Sequence, residues 1–326
     1  MILTVTVNPS LDTLYQMEQY TQNTVNRVQR VTVTAGGKGL NTARVAAALG
    51  EKVTAAGIVG GYNGKKFISL LPQEIGSAFT FAPGETRCCI NVHDAATGRH
   101  TELLESGAAV SQSTLTEFYG SFALLLRACD LVTLNGSLLP GCPQDFYAAL
   151  IKMAHSAGKP VLLDSSGAGL QEGVKARPTL IKPNADEIAQ LTGEPVQNLP
   201  QIMRAAHRLH ETGIPWVVIS LGKNGAAVVC DEGSFRATTP DIPVVNTVGC
   251  GDSMMAGFAV GIVRGADAAT CIRMGMAAAT ANALSASTGS IVVGDYERLL
   301  PQIKVEIYGK SNACPSQNGL SRQIEL

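Results

Sequence analysis

One short segment in the last third of the chain sets an acidic residue behind two glycines at the predicted start of a helix. In this segment, NTVGCGDSMMAGFAV, Gly249, Cys250 and Gly251 precede Asp252, and apolar residues then recur at helical spacing. Glycines let successive backbone N–H groups converge, and a helix N-terminus adds the positive end of its dipole, so the turn suits a phosphate group. The Asp252 carboxylate could take a proton from an attacking hydroxyl there. A plain N-cap role for Asp252 explains the same local sequence.

A second glycine-rich segment, TAGGKGLNTARVAAALG, joins a predicted strand to a predicted helix. Gly36 and Gly37 allow the backbone to approach a ligand closely. Lys38 offers a mobile cation for phosphate, and Asn41 can bind hydroxyl groups from the helix start. The segment is not a P-loop, because glycine follows Lys38 where the metal-binding serine or threonine would stand. A tight turn with a solvated lysine is the alternative.

Three polar residues near the N-terminal side are individually weaker signals. The segment NPSLD places Asp12 just beyond the end of the first predicted strand, where a parallel sheet commonly offers its ligand crevice. Arg27 and Arg87 lie in two extended segments, and arginine is suited to bidentate contacts with phosphate. A solvated surface charge is the alternative for each arginine.

Two later turns could contribute to a nucleotide site. Lys182, Asn184 and Glu187 follow a predicted strand and could help to place a metal-bound nucleotide, although a plain strand-to-helix turn explains them nearly as well. The segment SLGKNG, residues 220–225, reads as a strand end and a turn. The segment SGAGLQEG, residues 166–173, resembles a dinucleotide fingerprint, but its third glycine comes one residue too late for GxGxxG.

The cysteines and histidines do not predict a metal site. The eight cysteines are scattered without a CxxC pair. The N-terminal sequence MILTVTVNPS lacks the basic leader and apolar stretch of a signal peptide, so a cytoplasmic protein with reduced thiols is expected. Among the five histidines, His207 and His210 lie three apart on a predicted surface helix, with no HExxH arrangement, and are predicted to be solvated.

Charge and composition limit the classes of partner that the chain is expected to bind. The 326 residues carry a formal net charge of -1 and are 45% hydrophobic, which suits a globular protein with a substantial core. No global field favours nucleic acid or an anionic membrane, and no apolar segment is long enough to span a bilayer. Neither nucleic acid nor a membrane is therefore expected as a partner. An anionic ligand must be held by a few placed cations and backbone amides.

Hydrophobic periodicity predicts the elements that position these residues. From residue 130 onwards strands alternate with helices, which predicts a parallel sheet covered by helices on both faces. Two extended regions, about 12–34 and 85–105, fall outside this rhythm and predict a small β subdomain that could act as a lid. The predicted strands are 1–7, 25–34, 52–59, 86–93, 100–104, 130–134, 160–163, 180–182 and 216–221, and the predicted helices are 40–49, 144–157, 186–191, 201–211 and 252–264.

Taken together, the segments resemble the ribokinase-like, PfkB-type carbohydrate kinases. AGGKGLNTARVAAALG resembles the N-terminal signature of that family and NTVGCGDSMMAGFAVG its C-terminal signature. Between them VNRV, GETR, NGSLLPG, LDSSG, IKPN and SLGKNG follow in the family's order. The resemblance implies a three-layer α/β/α fold with a mostly parallel central sheet and a small β-sheet lid. It covers residues 1–307 as a single kinase domain, and the polar residues 308–326 are expected to form a loosely ordered tail.

The resemblance also implies roles for individual residues, with ATP and Mg2+ as cofactors. Asp252 would be the general base of a direct in-line transfer. On the sugar side, the resemblance implies sugar contacts from Asp12, Gly36, Gly37 and Asn41, and contacts to the substrate phosphate from Lys38, Arg27, Arg87 and Ser137. The anion hole would consist of Gly249, Cys250 and Gly251. On the nucleotide side it implies Lys182, Asn184, Glu187, Ser220, Gly222 and Gly225, with Asn282 near the adenine and with Glu187 and Asn184 near the metal, through water.

Within the family the chain most resembles the tagatose-6-phosphate kinase and 1-phosphofructokinase branch. TELLESG, residues 101–107, looks more like the tagatose-6-phosphate kinases, so tagatose 6-phosphate is the expected substrate and tagatose 1,6-bisphosphate the product. Fructose 1-phosphate and fructose 6-phosphate are the alternative ketose phosphates. A non-catalytic sugar-phosphate or nucleotide binding protein and a dinucleotide-dependent oxidoreductase are alternatives of other classes. The family's lid often pairs two subunits, which makes a homodimer through the lid a candidate arrangement.

Two positions depart from the family pattern. Cys250 stands where alanine or serine is usual, and activity is expected to survive because the loop acts through its backbone. Leu139-Pro140 replaces the usual proline-first order after GSL, which leaves the local shape beside Ser137 open.

Overall fold

Two β-sheets organise residues 1–309, one with ten strands and one with four. The structure, a computed structural model, describes residues 1–309, so the predicted tail at 308–326 lies outside the described residues from position 310 onwards. Within residues 1–309 the strands are β1 (Ile2–Thr6), β2 (Ser10–Met17), β3 (Arg30–Gly36), β4 (Val53–Gly60), β5 (Ile75–Ala82), β6 (Arg87–Asp94), β7 (Arg99–Leu104), β8 (Leu131–Asn135), β9 (Val161–Asp164), β10 (Leu180–Ile181), β11 (Trp216–Ser220), β12 (Ala226–Cys230), β13 (Gly233–Thr238) and β14 (Lys304–Ile307).

The large sheet has the strand order β14-β13-β12-β11-β10-β9-β8-β1-β4-β5. Its seven strands from β11 to β5 pair in parallel. The three remaining strands, β12 to β14, continue the sheet in antiparallel pairs. The prediction of a mostly parallel central sheet is confirmed. The antiparallel edge was not predicted.

Helices cover both faces of the large sheet. Neighbouring residues of its strands point to opposite faces, as in Ile2 and Leu3 of β1, and each face carries its own hydrophobic core. The cores together make the three-layer arrangement that the sequence predicts. Within residues 1–309 the helices are α1 (Lys38–Ala48), α2 (Gly61–Ser69), α3 (Gln112–Leu126), α4 (Phe146–Ser156), α5 (Gly167–Lys175), α6 (Ala185–Thr192), α7 (Leu199–Glu211), α8 (Cys250–Val263), α9 (Ala268–Leu284) and α10 (Val293–Leu299).

The small sheet consists of β2, β3, β6 and β7 in the order β3-β2-β6-β7. Strand β2 pairs antiparallel with β3 and parallel with β6, and β6 and β7 form the predicted hairpin. All four strands come from the two regions that fall outside the βα rhythm, apart from the first residues of β2 and the end of β3. The prediction of a small second sheet is confirmed.

One predicted strand in the small sheet begins too early. The alternating residues 25–34 predict a strand, but β3 begins only at Arg30, because its partner β2 supplies pairing residues only from Ser10 to Gln16. Residues 25–29 lie in the loop before β3, and Val25 and Val28 are exposed. Alternation without a partner strand therefore misled the sequence interpretation. Within residues 1–309, no helix is both long enough and apolar enough to cross a lipid bilayer.

Candidate active site

Three of the predicted site residues, Lys38, Lys182 and Asp252, lie where the parallel strands end and two helices begin. Strand β9 ends at Asp164, and Lys182 follows β10. Helix α1 begins at Lys38, and Asp252 lies in the first turn of α8. In a parallel sheet the carboxyl ends of the strands share one edge, so four charged residues distant in sequence can meet there. We call Lys38, Asp164, Lys182 and Asp252 the charge cluster.

Asp164 is the centre of the charge cluster. Its Oδ1 lies 3.1 Å from Lys38 Nζ and its Oδ2 lies 3.2 Å from Lys182 Nζ. Asp164 and Lys182 are buried, whereas the Lys38 side chain is 42% exposed. Burial would raise the pKa of Asp164, but the charges of Lys182 and Lys38 outweigh it and hold that pKa below its usual value. Asp164 thus fixes two cations, the buried Lys182 and the partly exposed Lys38.

Asp252 is buried, with 7% of its surface exposed, and its carboxylate has a defined donor. Asn41 Nδ2 donates to Asp252 Oδ2 at 2.8 Å. Burial, followed by the charge of Asp164, raises the pKa of Asp252 to about 6, while Lys38, Asn41 and Lys182 act in the opposite direction. At neutral pH this carboxyl is mostly ionised and has a pKa suited to a general base.

The structure also decides between the two interpretations of Asp252. The N-cap of α8 is Gly249, and Asp252 is the third residue of the helix. Its side chain accepts a hydrogen bond from α1 rather than from the first turn of its own helix. Asp252 is therefore not the cap of α8. Its carboxylate points towards Asn41 of α1.

The glycine loop, Gly249–Gly251, requires glycine at position 249 for steric reasons. Gly249 has φ +85°, and a Cβ at this position would lie 2.7 Å from Gly289 N. A Cβ at Gly251 would lie 3.2 Å from Lys182 Nζ, so the loop runs directly beside a buried cation. The Cys250 thiol contacts Asn282 Nδ2 at 3.4 Å, and burial raises its pKa. Since Cys250 is accommodated beside Asn282, the loop keeps its backbone conformation.

Asn282 supports the glycine loop from behind. It is fully buried on α9, its Nδ2 donates to Val248 O at 2.9 Å, and its Oδ1 accepts from Ser290 N at 3.2 Å. That Asn282 lies near the adenine stays a prediction, and Val248, whose carbonyl it binds, is exposed beside the glycine loop. A side chain with no exposed surface and both amide groups bonded within the protein acts on a ligand only through the loop that it holds.

Asp12 lies on the small sheet rather than beyond the end of a strand of the large sheet. It is the third residue of β2, because the chain turns at Asn8-Pro9 and enters the small sheet at Ser10. Ser10 Oγ donates to Asp12 Oδ1 at 2.6 Å. A Cβ at Gly36 on the paired strand β3 would lie 2.0 Å from Asp12 Oδ2. Gly36 is therefore required for the observed place of the Asp12 carboxylate.

Burial raises the pKa of Asp12, while its hydrogen bond from Ser10 and the charges of Arg44 and Arg87 act in the opposite direction. Next to it, Gly37 is the N-cap of α1 with φ +109°. A Cβ there would lie 2.9 Å from Thr6 Cγ2. These distances show close packing within the protein, and a close approach of this backbone to a ligand stays a prediction.

Arg87 and Ser137 are joined through Asn8. Arg87 donates from Nη2 to Asn8 O and from Nη1 to Glu105 O, both at 3.1 Å. Asn8 Nδ2 lies 3.3 Å from Ser137 Oγ and is buried. Arg27, by contrast, is exposed on the loop between β2 and β3, and within residues 1–309 no hydrogen bond or ion pair ties it to the other predicted residues.

The predicted nucleotide side lies along the ends of β10 and β11. Asn184 and Glu187 form a capping box: Asn184 N donates to Glu187 Oε2 at 2.9 Å and Glu187 N donates to Asn184 Oδ1 at 2.8 Å. Ser220 ends β11 and forms an isolated bridge with Asn184. The strand-to-helix turn that the sequence offered as an alternative is thus present. Because Glu187 Oε2 is bound in this turn, a role of the Glu187 carboxylate in metal binding stays a proposal.

The two glycines after Ser220 differ in what they require. Gly225 has φ +89°, and a Cβ there would lie 1.9 Å from Ala237 O, so this glycine is fixed by the turn into β12. Gly222 also has positive φ, but no atom lies within 4 Å of its ideal Cβ. Gly222 therefore has open space above it.

The sequence interpretation missed three residues at this site. Asp164 was noted only as part of the LDSSG segment, although an acid at the carboxyl end of a parallel strand is the same signal that drew attention to Asp12. Asn8 was noted only within NPSLD. Arg44, three residues after Asn41 on α1, donates to Asn41 Oδ1 at 2.8 Å. Helical spacing of three is the signal that could have found Arg44.

Solved structures of known proteins share this fold across nearly the whole chain. Escherichia coli phosphofructokinase-2 in complex with potassium matches with a TM-score of 0.86 and 28% identity, over 92% of this chain and 98% of that chain. A possible 1-phosphofructokinase from Thermotoga maritima matches with a TM-score of 0.86 and 24% identity, over 94% and 99%. Arabidopsis thaliana ribokinase matches with a TM-score of 0.72 and 23% identity, over 92% and 98%. The fold is therefore ribokinase-like.

The family follows from the sequence model that matches. The model of the pfkB family carbohydrate kinases matches residues 6–293, which is most of the chain. The chain belongs to this family and is a sugar kinase. The family predicted from the two glycine signatures is confirmed, and kinase membership implies ATP as the phosphoryl donor.

Proposed function

We propose that this protein transfers the γ-phosphoryl group of ATP to a ketose phosphate, with Asp252 as the general base. The observation that carries the proposal is the ionisable Asp252 carboxylate, held by Asn41 beside the glycine loop and two lysines. A general base of this kind contributes about a hundred- to ten-thousand-fold to the rate. Asp252 Oδ2 accepts from Asn41, and Oδ1 takes the proton of the acceptor hydroxyl.

The glycine loop and the lysines stabilise the charge on the transferring phosphoryl group. Backbone N–H groups of Gly249 and Gly251 lie at the start of α8, where the helix dipole also favours an anion. The N–H group of Cys250, between them, donates to Thr247 O at 3.3 Å and so closes the loop. Lys38, partly exposed and fixed by Asp164, offers its ammonium to a phosphate of the substrate or of ATP. The charge of Asp164 raises the pKa of Lys38, so this cation keeps its proton through the reaction.

The sugar binds between the small sheet and the large sheet in this proposal. Asp12 and Asn41, with the backbone at Gly37, hold the sugar hydroxyls. Arg87 and Ser137 hold the phosphate already on the sugar, with Arg27 joining them when the β2–β3 loop approaches the site. The small sheet thus acts as a lid that keeps water from the phosphoryl group.

The nucleotide lies towards Lys182, Asn184, Ser220 and Gly222, with the open space above Gly222 available to ATP. Valines exposed near the glycine loop offer an apolar surface for the adenine ring, and the buried Asn282 holds one of them, Val248, from behind. They are Val244, Val245, Val248 and Val292, which are 47% to 62% exposed. Backbone N–H groups of Val245 and Asn246 bind Ala283 O, which fixes this valine segment to the end of α9.

Mg2+ fits this site as an ion carried by the nucleotide. Within residues 1–309, no three His, Cys, Asp or Glu side chains gather into a metal cluster. Asp164 is engaged by two lysines, and Glu187 uses Oε2 in the capping box. Glu187, with Asn184, would therefore contact the ion through water while phosphate oxygens supply most ligands. When bound, Mg2+ offsets negative charge on the phosphates.

Tagatose 6-phosphate, giving tagatose 1,6-bisphosphate, is the substrate that we favour. The support is the resemblance of TELLESG, residues 101–107, to the tagatose-6-phosphate kinases. Most of this segment forms β7 and its end, where Glu105 O accepts from Arg87. Fructose 6-phosphate is the second candidate, because Escherichia coli phosphofructokinase-2, 27% identical in that comparison, was solved in complex with it. Fructose 1-phosphate is the third.

Steady-state kinetics with ATP decide among these substrates. The panel is tagatose 6-phosphate, fructose 1-phosphate, fructose 6-phosphate and the two unphosphorylated ketoses, with ADP formation as the readout. We expect the highest kcat/KM with tagatose 6-phosphate and negligible turnover of the unphosphorylated sugars. A preference of about tenfold or more for another phosphate would overturn the substrate choice. Absence of sugar-dependent ADP formation across the panel would overturn the ketose-phosphate assignment.

We also propose a homodimer through the small sheet. On the face opposite Asp12, one row of paired residues is Val33, Thr13, Ile90 and Leu103, and Val31 lies on the same face. Val31 is 55% and Leu103 57% exposed, so this part of the apolar face is open in the single chain, whereas Val33 packs against the core. Escherichia coli phosphofructokinase-2 has a tetrameric inhibited form, so related chains assemble. A second copy of this chain would cover the face.

A further inference from the structure

Arg44 is a half-buried arginine that no part of the proposed reaction uses directly. It lies on α1, one turn after Asn41, and its guanidinium points back along the helix. Nη1 donates to Asn41 Oδ1 at 2.8 Å, and Nη2 donates to Ala35 O at the end of β3. Burial lowers the pKa of Arg44, against the charges of Asp12 and Asp252. A cation is placed there between the two carboxylates at opposite ends of the sugar site.

The bond from Arg44 determines how the Asn41 amide is oriented. An asparagine side chain has one accepting oxygen and one donating nitrogen, which occupy nearly the same shape. Because Arg44 can only donate, Asn41 must turn Oδ1 towards it, and Nδ2 is then directed at Asp252 Oδ2. The reversed amide would face Arg44 with N–H groups and Asp252 with a carbonyl oxygen, so both contacts would be repulsive.

The surroundings of Asn41 restrict its position but do not select this orientation. A Cβ at Gly289 would lie 2.5 Å from Asn41 Cβ and 2.6 Å from Oδ1, so the loop at Gly289 packs closely against the side chain. Close packing holds the plane of the amide but hardly distinguishes oxygen from nitrogen. The contacts that do are the hydrogen bond from Arg44 at one end of the amide and the acceptor Asp252 Oδ2 at the other.

We propose that Arg44 is a positioning residue for the phosphoryl transfer: it orients the Asn41 amide so that Asp252 Oδ2 is bound and Oδ1 is left for the sugar hydroxyl. The inference rests on the proposed role of Asp252 as the base. Arg44 acts through Asn41 and touches neither the sugar nor ATP. Its second bond, to Ala35 O, fixes the end of β3 next to Gly36, which packs against Asp12. One guanidinium thus sets both the base and the strand beside the sugar-binding carboxylate.

The charges around Asp252 predict the direction of a pH effect. Asp164 at the end of β9 faces it as an anion, and Lys38 of α1, Lys182 after β10 and Arg44 of α1 are the cations. Removing Arg44 removes one of three cations and frees the amide that donates to Oδ2. Both changes favour the protonated carboxyl, so the activity of the variant falls at a higher pH than that of the wild type.

A double-mutant cycle tests this inference. The four proteins are the wild type, Arg44→Met, Asn41→Ala and the double variant, assayed with ATP and the best ketose phosphate of the panel. We expect Arg44→Met to lower kcat by about tenfold to a hundredfold, with the KM for ATP changed by less than about threefold. In the Asn41→Ala background the same change should lower kcat by less than about threefold, because the amide that Arg44 orients is gone.

The pH dependence of kcat/KM and a second variant complete the test. The acid limb should move to higher pH in Arg44→Met relative to the wild type. Arg44→Lys, which keeps the charge but has no planar fork, should recover only part of the lost kcat. If urea unfolding shows that Arg44→Met does not fold, Arg44→Lys replaces it in the double-mutant cycle.

Equal losses of kcat in the two backgrounds, or an acid limb that does not move, would overturn the role of Arg44. This outcome is distinct from failure of the proposed function. Near-normal turnover by Asp252→Asn would reject Asp252 as the general base, whatever result the double-mutant cycle gives. An inactive Asp252→Asn together with an additive cycle would reject only the inference about Arg44.

Discussion

Replacing Asp252 by asparagine should stabilise the protein at neutral pH while it stops turnover. In the folded chain burial and Asp164 raise the pKa of Asp252 from 3.8 to about 6, so folding disfavours the charged carboxyl. A difference of about two pH units corresponds to about 3 kcal/mol once the group is ionised in both states. Asparagine has nearly the same shape, can still accept from Asn41 and carries no charge. Asp252→Asn is therefore expected to gain about 1–3 kcal/mol at pH 7.5.

The sign of the pH dependence follows from the raised pKa. Between pH 4 and pH 6 the folded protein binds a proton at Asp252 that the unfolded chain has already released. The stability of the wild type therefore falls as pH rises through this window, and the advantage of Asp252→Asn grows with it. At pH 4.5 the advantage should be about a third of its value at pH 7.5, because Asp252 is then mostly protonated when folded.

Urea unfolding measures this difference. The single tryptophan, Trp216, packs edge-on against Phe258 of α8 with ring centroids 6.0 Å apart, so its fluorescence reports on the helix that carries Asp252. The matched control is Asp241→Asn, at an exposed aspartate, for which no change in stability is expected. Lower stability of Asp252→Asn at pH 7.5, or an equal difference at both pH values, would refute the reasoning.

Three further substitutions test other parts of the site. Gly36→Ala places a Cβ 2.0 Å from Asp12 Oδ2, so the KM for the sugar should rise by about tenfold or more while the KM for ATP stays nearly constant; equal changes in both would contradict the role of Asp12. Asp164→Asn leaves Lys182 buried without its anion, so a loss of about 3 kcal/mol or more in unfolding free energy is expected together with a lower kcat; full stability would disprove the central place of Asp164. Val31→Glu should turn a dimer into a monomer in analytical ultracentrifugation without lowering the melting temperature at low protein concentration, and an unchanged mass would reject the small-sheet interface.

The parts of the fold that the sequence predicted are those with a strong local pattern. The turn at Gly249–Gly251 could be recognised because Gly249 is required by its positive φ and by the 2.7 Å contact that a Cβ would make, which leaves a clear trace in sequence. The helices with one apolar face, such as α7, were predicted because their apolar residues recur at helical spacing. By contrast, α9 is buried around nearly its whole circumference, so it lacks the amphipathic period that would have revealed it.

The parts of the site that sequence could not supply are pairings between distant residues. Lys38 and Asp164 are 126 residues apart in the chain, and no local pattern shows that one carboxylate binds two lysines. The direction of a side chain is equally hidden. The Asn282 amide binds Val248 O because the loop 246–250 packs over the end of α9, and no local pattern predicts this contact. Such contacts depend on how the helices pack, which a linear pattern does not record.

The direct test of the account is phosphoryl transfer by Asp252→Asn in a single turnover, with ATP and enzyme in excess over the ketose phosphate. The variant should bind the sugar phosphate within a few-fold of the wild-type affinity, yet transfer the phosphoryl group at least about a hundredfold more slowly. A rate within about tenfold of the wild type, with sugar binding intact, would contradict the assignment of Asp252 as the base.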